Sequence, residues 1–179
     1  CGGAWVREHR AVNPQNPRAF RRVDAERQVR LWGRQRGVPA SVLRIPGIYA
    51  NDREGGTPRE RLARGSPVLR PEDDVFTNHI HADDLARACW LALWRGRAQR
   101  VYHVSDDSQL RMADYYTQAA AWYGLPAPPR VSRAEAAQVL SEMQMSFMRE
   151  SRRLDNARMK RELRLRLRYP QVLDGLRAG

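Results

Sequence analysis

Several residues in this chain have the types and spacing to do chemistry. Arg44, Tyr49, Asn51 and Arg53 crowd the end of one short apolar run, ASVLRIPGIYANDR, at positions 40–53. His79, His81 and Asp83 stand two residues apart, so on a strand the two imidazoles share a face. A phenol and an imidazole are the proton carriers this set offers, Tyr49 and His79. Arginine offers a planar, permanently charged fork suited to a carboxylate or phosphate. The histidine pair with Asp83 has metal-ligand types but no evident fourth ligand, and Asp83-Asp84 already suit the start of a helix, so no metal is expected. No G-x-S-x-G elbow is present for a serine hydrolase. No glycine-rich phosphate loop follows a strand either, since Gly2-Gly3 and Gly55-Gly56 lack the spacing and context.

These groups need a scaffold. Ser41 to Ile45 is a short β-branched and aliphatic run stopped by Pro46-Gly47, a buried strand whose carboxyl end opens into a polar loop. Before it, Pro17 opens a helix that runs to Arg36 and stops at Gly37, with Phe20, Val23, Val29 and Trp32 as its apolar stripe. After it, Thr57 is expected to cap a brief helix with Pro58 in its first position. Residues 66–74 read as irregular. Strands are expected near 76–80 and 100–105, and helices near 83–95 and 112–123. A Pro-rich linker spans 126–130, and Ser132 to Glu135 is a capping box for a helix to about Leu140. Met143, Met145 and Met148 around Phe147 read as core filler. Short helices follow at 156–162 and 170–176. Leu163, Leu165 and Leu167 alternate with arginines, as in a segment packed on the body with its arginine stems outward.

A chain of 179 residues carrying +12 invites a nucleic-acid reading. Against it, Lys160 is the only lysine among 32 basic residues, and the arginines are scattered along the chain. A solvated basic surface is the better reading, and nucleic acid is not expected. No apolar run is long enough to span a bilayer and no signal peptide is visible. Two isolated thiols, Cys1 and Cys89, point to a reducing, cytoplasmic setting.

LRIPGIYANDR, NHIHADDLARA and VYHVSDDSQLRMADYY, in that order, resemble the C-terminal half of extended short-chain dehydrogenases/reductases, the NAD-dependent epimerase/dehydratase family. Arg44 to Asn51 is similar to R-x-P-G-x-Y-G-P, and Ile80 to Leu85 to I-H-V-D-D-L. Tyr102 to Asp107 resembles Y-N-V-S-D, and Tyr169-Pro170 with Gly175-Leu176 resembles the common ending. The resemblance implies an α/β fold: the C-terminal part of a Rossmann-like parallel sheet plus a small, mostly helical substrate-binding region. Residues 1–110 would form a partial Rossmann-like core with a substrate loop region near 50–75, and 111–179 the helical region. It implies NAD or NADP as cofactor, with Arg22, Ile45, Pro46, Gly47 and Ile48 on the cofactor side. It places Tyr49, Asn51, Arg53 and His79 on the substrate side, facing a small molecule such as a nucleotide-sugar. A homodimer is an expected form of the full-length protein.

The chain departs from that family in two ways. With Glu26 as the anchor of the helix motif Tyr-x-x-x-Lys, the tyrosine and lysine positions hold Arg18 and Arg22, which resembles the atypical branch of the family. Arginine stays protonated and cannot act as the phenolic acid/base. The chain also begins about where the family's fifth strand has ended, beyond the glycine-rich loop. The expected function is therefore NAD(P)-linked oxidoreduction or epimerisation by this protein or by a longer one of which it is a part. The alternatives are a catalytically silent dinucleotide sensor or scaffold of the same fold and, third, an arginine-rich nucleic-acid binder. Alone, the chain is expected to be marginally stable, to self-associate and to bind NAD(P) poorly.

Overall fold

The computed structural model describes residues 2–178. Cys1, the first of the two thiols, lies outside them; Cys89 is a free, exposed thiol. Strand β1 (Trp5–Val6) precedes the long helix α1 (Pro17–Arg36). Both ends of α1 follow from local chemistry. Asn16 Oδ1 accepts from the Ala19 N–H at 2.9 Å, Pro17 takes a position that needs no donor, and Gly37 closes the helix at φ 64°. Gly33 lets α1 close on the body, since a Cβ there would sit 2.9 Å from Ala40 Cβ and from Val38 O.

Strands β2 (Val42–Arg44) and β3 (Gly47–Tyr49) are one strand broken at Ile45-Pro46. Proline has no N–H for a ladder, so the break falls where the sequence demands it. The short helix α2 (Arg59–Ala63) corrects the capping expectation: Pro58 holds the cap position and no side chain caps it. Gly56 is committed to the preceding turn, donating to Arg53 O and accepting from the Ala50 N–H, and this sets the chain direction into Pro58. Strand β4 (Val68–Leu69) lies within the stretch read as irregular.

Strand β5 (His79–His81) is shorter and later than expected. Helix α3 (Ala82–Arg95) follows at once, capped by the His81 ring, whose Nδ1 accepts from the Asp83 N–H at 3.1 Å. Strand β6 (Val101–His103) and helix α4 (Met112–Tyr123) fall where periodicity puts them, α4 ending at Gly124 with φ 63°. Strand β7 (Arg130–Val131) ends the Pro-rich stretch, and α5 (Arg133–Val139) has the expected Ser132–Glu135 capping box. The methionine-rich stretch is itself a helix, α6 (Glu142–Met148). Met145 and Met148 are buried in it, while Met143 and Phe147 are exposed. Strand β8 (Arg153–Leu154), α7 (Ala157–Glu162) and α8 (Val172–Arg177) complete the chain.

Among the described residues the strand pairs are all parallel, β1 with β8, β2 with β6, β3 with β5 and β4 with β7, beside one isolated antiparallel bridge between Phe76 and Arg111. The class is α/β with short parallel sheets, as the sequence implies. One core gathers Ile80, Ala88, Tyr102 and Val104 with Met159, Leu163 and Leu165. The alternating leucines of the tail thus point inward and its arginines outward. A second core joins Tyr49 to Tyr115, Ala119, Val172 and Leu176. A third packs Leu69 against Ala136, Met145 and Met148.

Candidate functional site

The break at Ile45-Pro46 makes a fork in the sheet. Strand β6 follows β2 as far as the Val104 N–H, which donates to Arg44 O at 3.0 Å. Beyond Pro46 the strand pairs with β5 instead, Gly47 opposite His79. The end of β6 then crosses to β5, with the Asp106 N–H donating to His79 O at 2.8 Å. So β5 is wedged between β3 and the end of β6. The carboxyl ends of these parallel strands meet there, and in open α/β sheets that is where ligands bind.

Helix α1 is held to this fork by a bidentate pair. Arg44 Nε and Nη2 donate to Glu26 Oε1 and Oε2 at 2.9 and 2.8 Å. At its other end, Gly33 lies against Ala40, before β2, so helix and strand run in opposite directions. Arg22 stands one turn before Glu26. A turn rises about 5.4 Å, or roughly one and a half strand residues, which sets Arg22 level with Pro46. Arg18 is one turn further on, its guanidinium 5.0 Å above the Phe147 ring.

The other residues singled out from the sequence divide into rim and core. Gly47 and Ile48 are exposed, Ile45 and Pro46 half-buried, and Arg53 is exposed in the turn after β3. Asn51 Nδ2 donates to Gly175 O at 2.9 Å and anchors that turn to α8. Tyr49 is in the core, edge-on to His81 at 5.1 Å and against the bare backbone of Gly175, where a Cβ would lie 2.3 Å from its hydroxyl. That hydroxyl has no hydrogen-bond partner among the described residues, and burial together with Asp106 and Asp84 raises its pKa far above the ordinary tyrosine value. His79 is buried against Tyr115, ring centroids 4.5 Å apart. Burial alone pushes its pKa down to about 4, so it is neutral at pH 7. Its Nδ1 is also unpartnered among the described residues. No group of three or more metal-ligand side chains occurs among the described residues.

The fold of this chain is similar to that of solved proteins. A functionally unknown conserved protein from Silicibacter pomeroyi is 34% identical, with a TM-score of 0.85, over 99% of this chain and 60% of its own. A nucleoside-diphosphate-sugar epimerase from Pseudomonas aeruginosa is 24% identical, with a TM-score of 0.71, over 89% of this chain and 52% of its own. The dTDP-glucose 4,6-dehydratase of Streptomyces venezuelae, solved with NAD, gives 20% and 0.70 over 96% and 52%. The chain has the epimerase/dehydratase fold. No family model matches it. A curated relative, a trifunctional UDP-glucose dehydratase, epimerase and reductase of Arabidopsis thaliana, is 23% identical over 74% of this chain and 21% of its own. The chain spans about half the length of the solved epimerase and dehydratase and about a fifth of the plant protein.

Within this epimerase/dehydratase fold the sequence reading missed a second set of groups. A cavity of about 490 Å³ opens beside the end of β6, lined by Trp5, Arg7, Asp106, Ser108, Arg153 and Asn156, among others. Arg153 is sandwiched between Trp5 and Phe76, at 5.1 and 4.8 Å. Asp106 Oδ1 accepts from the Ser108 N–H at 3.0 Å, while Oδ2 is buried and unpartnered among the described residues. Burial lifts this carboxyl from 3.8 to about 7, so it is about half protonated at neutral pH. The signal was present in Ser105-Asp106-Asp107 closing a strand, but burial separates the two aspartates. Asp107 takes the Lys160 ammonium at 2.5 Å while Asp106 turns inward.

Proposed function

We propose that this chain forms the substrate side of an NAD(P)-dependent oxidoreductase or epimerase acting on a nucleotide-sugar-like molecule. The observation that carries the reading is the fork at Ile45-Pro46, where Gly47 and Ile48 present an exposed edge at the strand ends. Solved neighbours of this fold hold NAD or NADPH, and several act on sugar nucleotides. In this reading Ile45, Pro46, Gly47 and Ile48 approach the nicotinamide, and Arg22, level with Pro46, reaches its ribose or phosphate. Arg53 takes an anionic group of the substrate, and Asn51 positions that arginine by fixing the turn to α8. Buried Tyr49 and His79 shape the floor and stay in their neutral forms at pH 7; Asp106, poised near pH 7, is the better proton carrier. A reducing cytoplasm is the proposed setting, and a homodimer the proposed form.

The test is titration of the natural protein containing this chain with NADH and NADPH, followed by energy transfer from tryptophan. Arg22→Ala should weaken binding of one of the two about tenfold, as expected for a lost charge-assisted contact. Unchanged affinity for both would remove the proposed cofactor side. A second reading is a dinucleotide sensor without turnover. It is favoured by Arg18 and Arg22 at the tyrosine and lysine positions, with Arg18 engaged on Phe147. Transfer of deuterium from labelled cofactor or solvent into a panel of nucleotide-sugars separates the two readings.

A further inference from the structure

The outer face of α3 is unlike an ordinary solvated helix. Leu85, Leu91 and Ala92 turn inward to the core with Ala88. On the opposite face Trp90 is 62% exposed, Trp94 73% and Leu93 78%, with the two indoles in edge contact at 6.0 Å. Three large apolar side chains on adjacent turns form a contiguous patch, of the kind that marks an interaction site.

A second feature lies along the same helix. Residues 163–168 run beside α3 in the opposite direction: Arg95 Nη1 donates to Leu163 O at 2.9 Å, and the Arg168 N–H to both oxygens of Asp84 at 2.9 and 3.0 Å. Leu163 and Leu165 are buried in that strip, so Arg164 and Arg166 project outward with Arg168. Arg87 and Arg95 add charge from α3 itself. The acidic groups facing them are Asp84, which is buried and spent on backbone donors and Arg87, and Asp83, 3.5 Å from Arg168. The helix thus presents Trp90, Leu93 and Trp94 to solvent and has a ladder of arginines running along it.

We propose that this face docks the protein peripherally on an anionic lipid bilayer. Indoles favour the headgroup level, with the ring buried and the N–H wet, and Leu93 reaches the acyl boundary. Arginines at the flank meet the phosphates. No helix of the described residues is long and apolar enough to cross a membrane, and peripheral docking needs none. A second copy fits worse, because pairing this face with itself sets one arginine ladder against another. A nucleic acid fits worse, because bases stack on aromatic rings and gain nothing from the aliphatic Leu93, the most fully exposed of the three at 78%.

The experiment is co-sedimentation of the protein with vesicles of phosphatidylcholine, with or without roughly a third phosphatidylglycerol. The expected result is binding to the anionic vesicles only, weakened by high salt, with a blue shift of tryptophan emission. Trp90→Gln with Trp94→Gln should weaken binding at least tenfold. Each of Arg164→Gln and Arg166→Gln should weaken it about fivefold, the value of one basic residue near an anionic surface. All four side chains are exposed, so unchanged circular dichroism and melting temperature are expected and serve as the control for folding. No binding to anionic vesicles at low salt overturns the proposal. So does binding that survives the double tryptophan variant, which would be arginine electrostatics alone. So does tryptophan-dependent self-association without vesicle binding, which would assign the face to a second copy.

Discussion

Asp84 is fully buried at the start of α3, and what it holds is distant in sequence. Its carboxylate accepts from the Arg168 N–H through both oxygens, from the Tyr169 N–H at 2.9 Å and from Arg87 Nη1 at 3.0 Å. Asp84→Ala leaves two backbone donors without partners at the point where the tail turns into α8. Each half-buried donor so abandoned costs about 1–2 kcal/mol, and the lost ion pair and first-turn charge add about 1 more. The expected destabilisation is about 3–5 kcal/mol, in line with breaking one side of a buried charged network. For a chain of this length that lowers the melting temperature by roughly 6–20 °C. Asp84→Asn keeps an acceptor but gains donors with nothing to meet, and should fall between wild type and alanine. Urea unfolding followed by circular dichroism measures the free energy. Limited proteolysis near 166–170 tells whether the tail is released before the rest. A loss below about 1 kcal/mol for Asp84→Ala would refute the idea that this carboxylate clamps the tail.

Three further outcomes follow from the same structure. Gly175→Ala drives a methyl to 2.3 Å from the Tyr49 hydroxyl and to 2.6 and 2.8 Å from its ring carbons Cε2 and Cζ, and should cost about 2–4 kcal/mol; in a Tyr49→Ala background the same change should cost much less, whereas an equal cost in both backgrounds would show that the clash is not with Tyr49. Asp106 titrates near 7 folded against 3.8 unfolded, so the native state holds the extra proton between those values and stability falls as pH rises through them; His79, near 4 folded against 6.5 unfolded, gives the opposite slope between 4 and 6.5. Asp106→Asn should therefore stabilise the protein by about 2–4 kcal/mol at pH 8 and leave a stability that rises from pH 4 to 6.5, measured by urea unfolding across pH. Glu26→Ala breaks the paired contact with Arg44 and should cost about 1–2 kcal/mol, with α1 the first segment cut by protease; unchanged protection of α1 would mean that its other contacts suffice.

Much of the fold was legible because its signals are local. Pro17 and Gly37 bound α1, the Ser132–Glu135 box opens α5, and the alternation of Leu163, Leu165 and Leu167 separates core from surface. Strands β1, β4, β7 and β8 were mostly hidden, although Trp5-Val6 reads as extended. Each has two residues, too few for a period, and each exists only because of a partner 60 or more positions away. The site was legible in its rim and not in its floor. Pro46-Gly47 announces the break, but nothing local says that Tyr49 folds under, against Gly175, while Asn51 reaches the carbonyl of the same glycine. Two adjacent aspartates look alike in sequence, yet Asp107 is half-buried and paired with Lys160 while Asp106 is buried with a raised pKa.

Pairing of β1 with β8 and the Arg7–Asp155 contact join residues 148 positions apart. Synthesis at about 5–20 residues per second leaves Trp5 and Val6 without their partner strand for roughly seven to thirty seconds. Met159, Leu163 and Leu165 complete one core and Val172 and Leu176 another, so both cores wait for residues 159–176. Until then Leu43, Ile45 and Ile80 have nowhere to be buried. Neither core can close before these residues have left the ribosome, and a stop codon ahead of residue 157 is expected to yield a polypeptide that is degraded and not a smaller working protein.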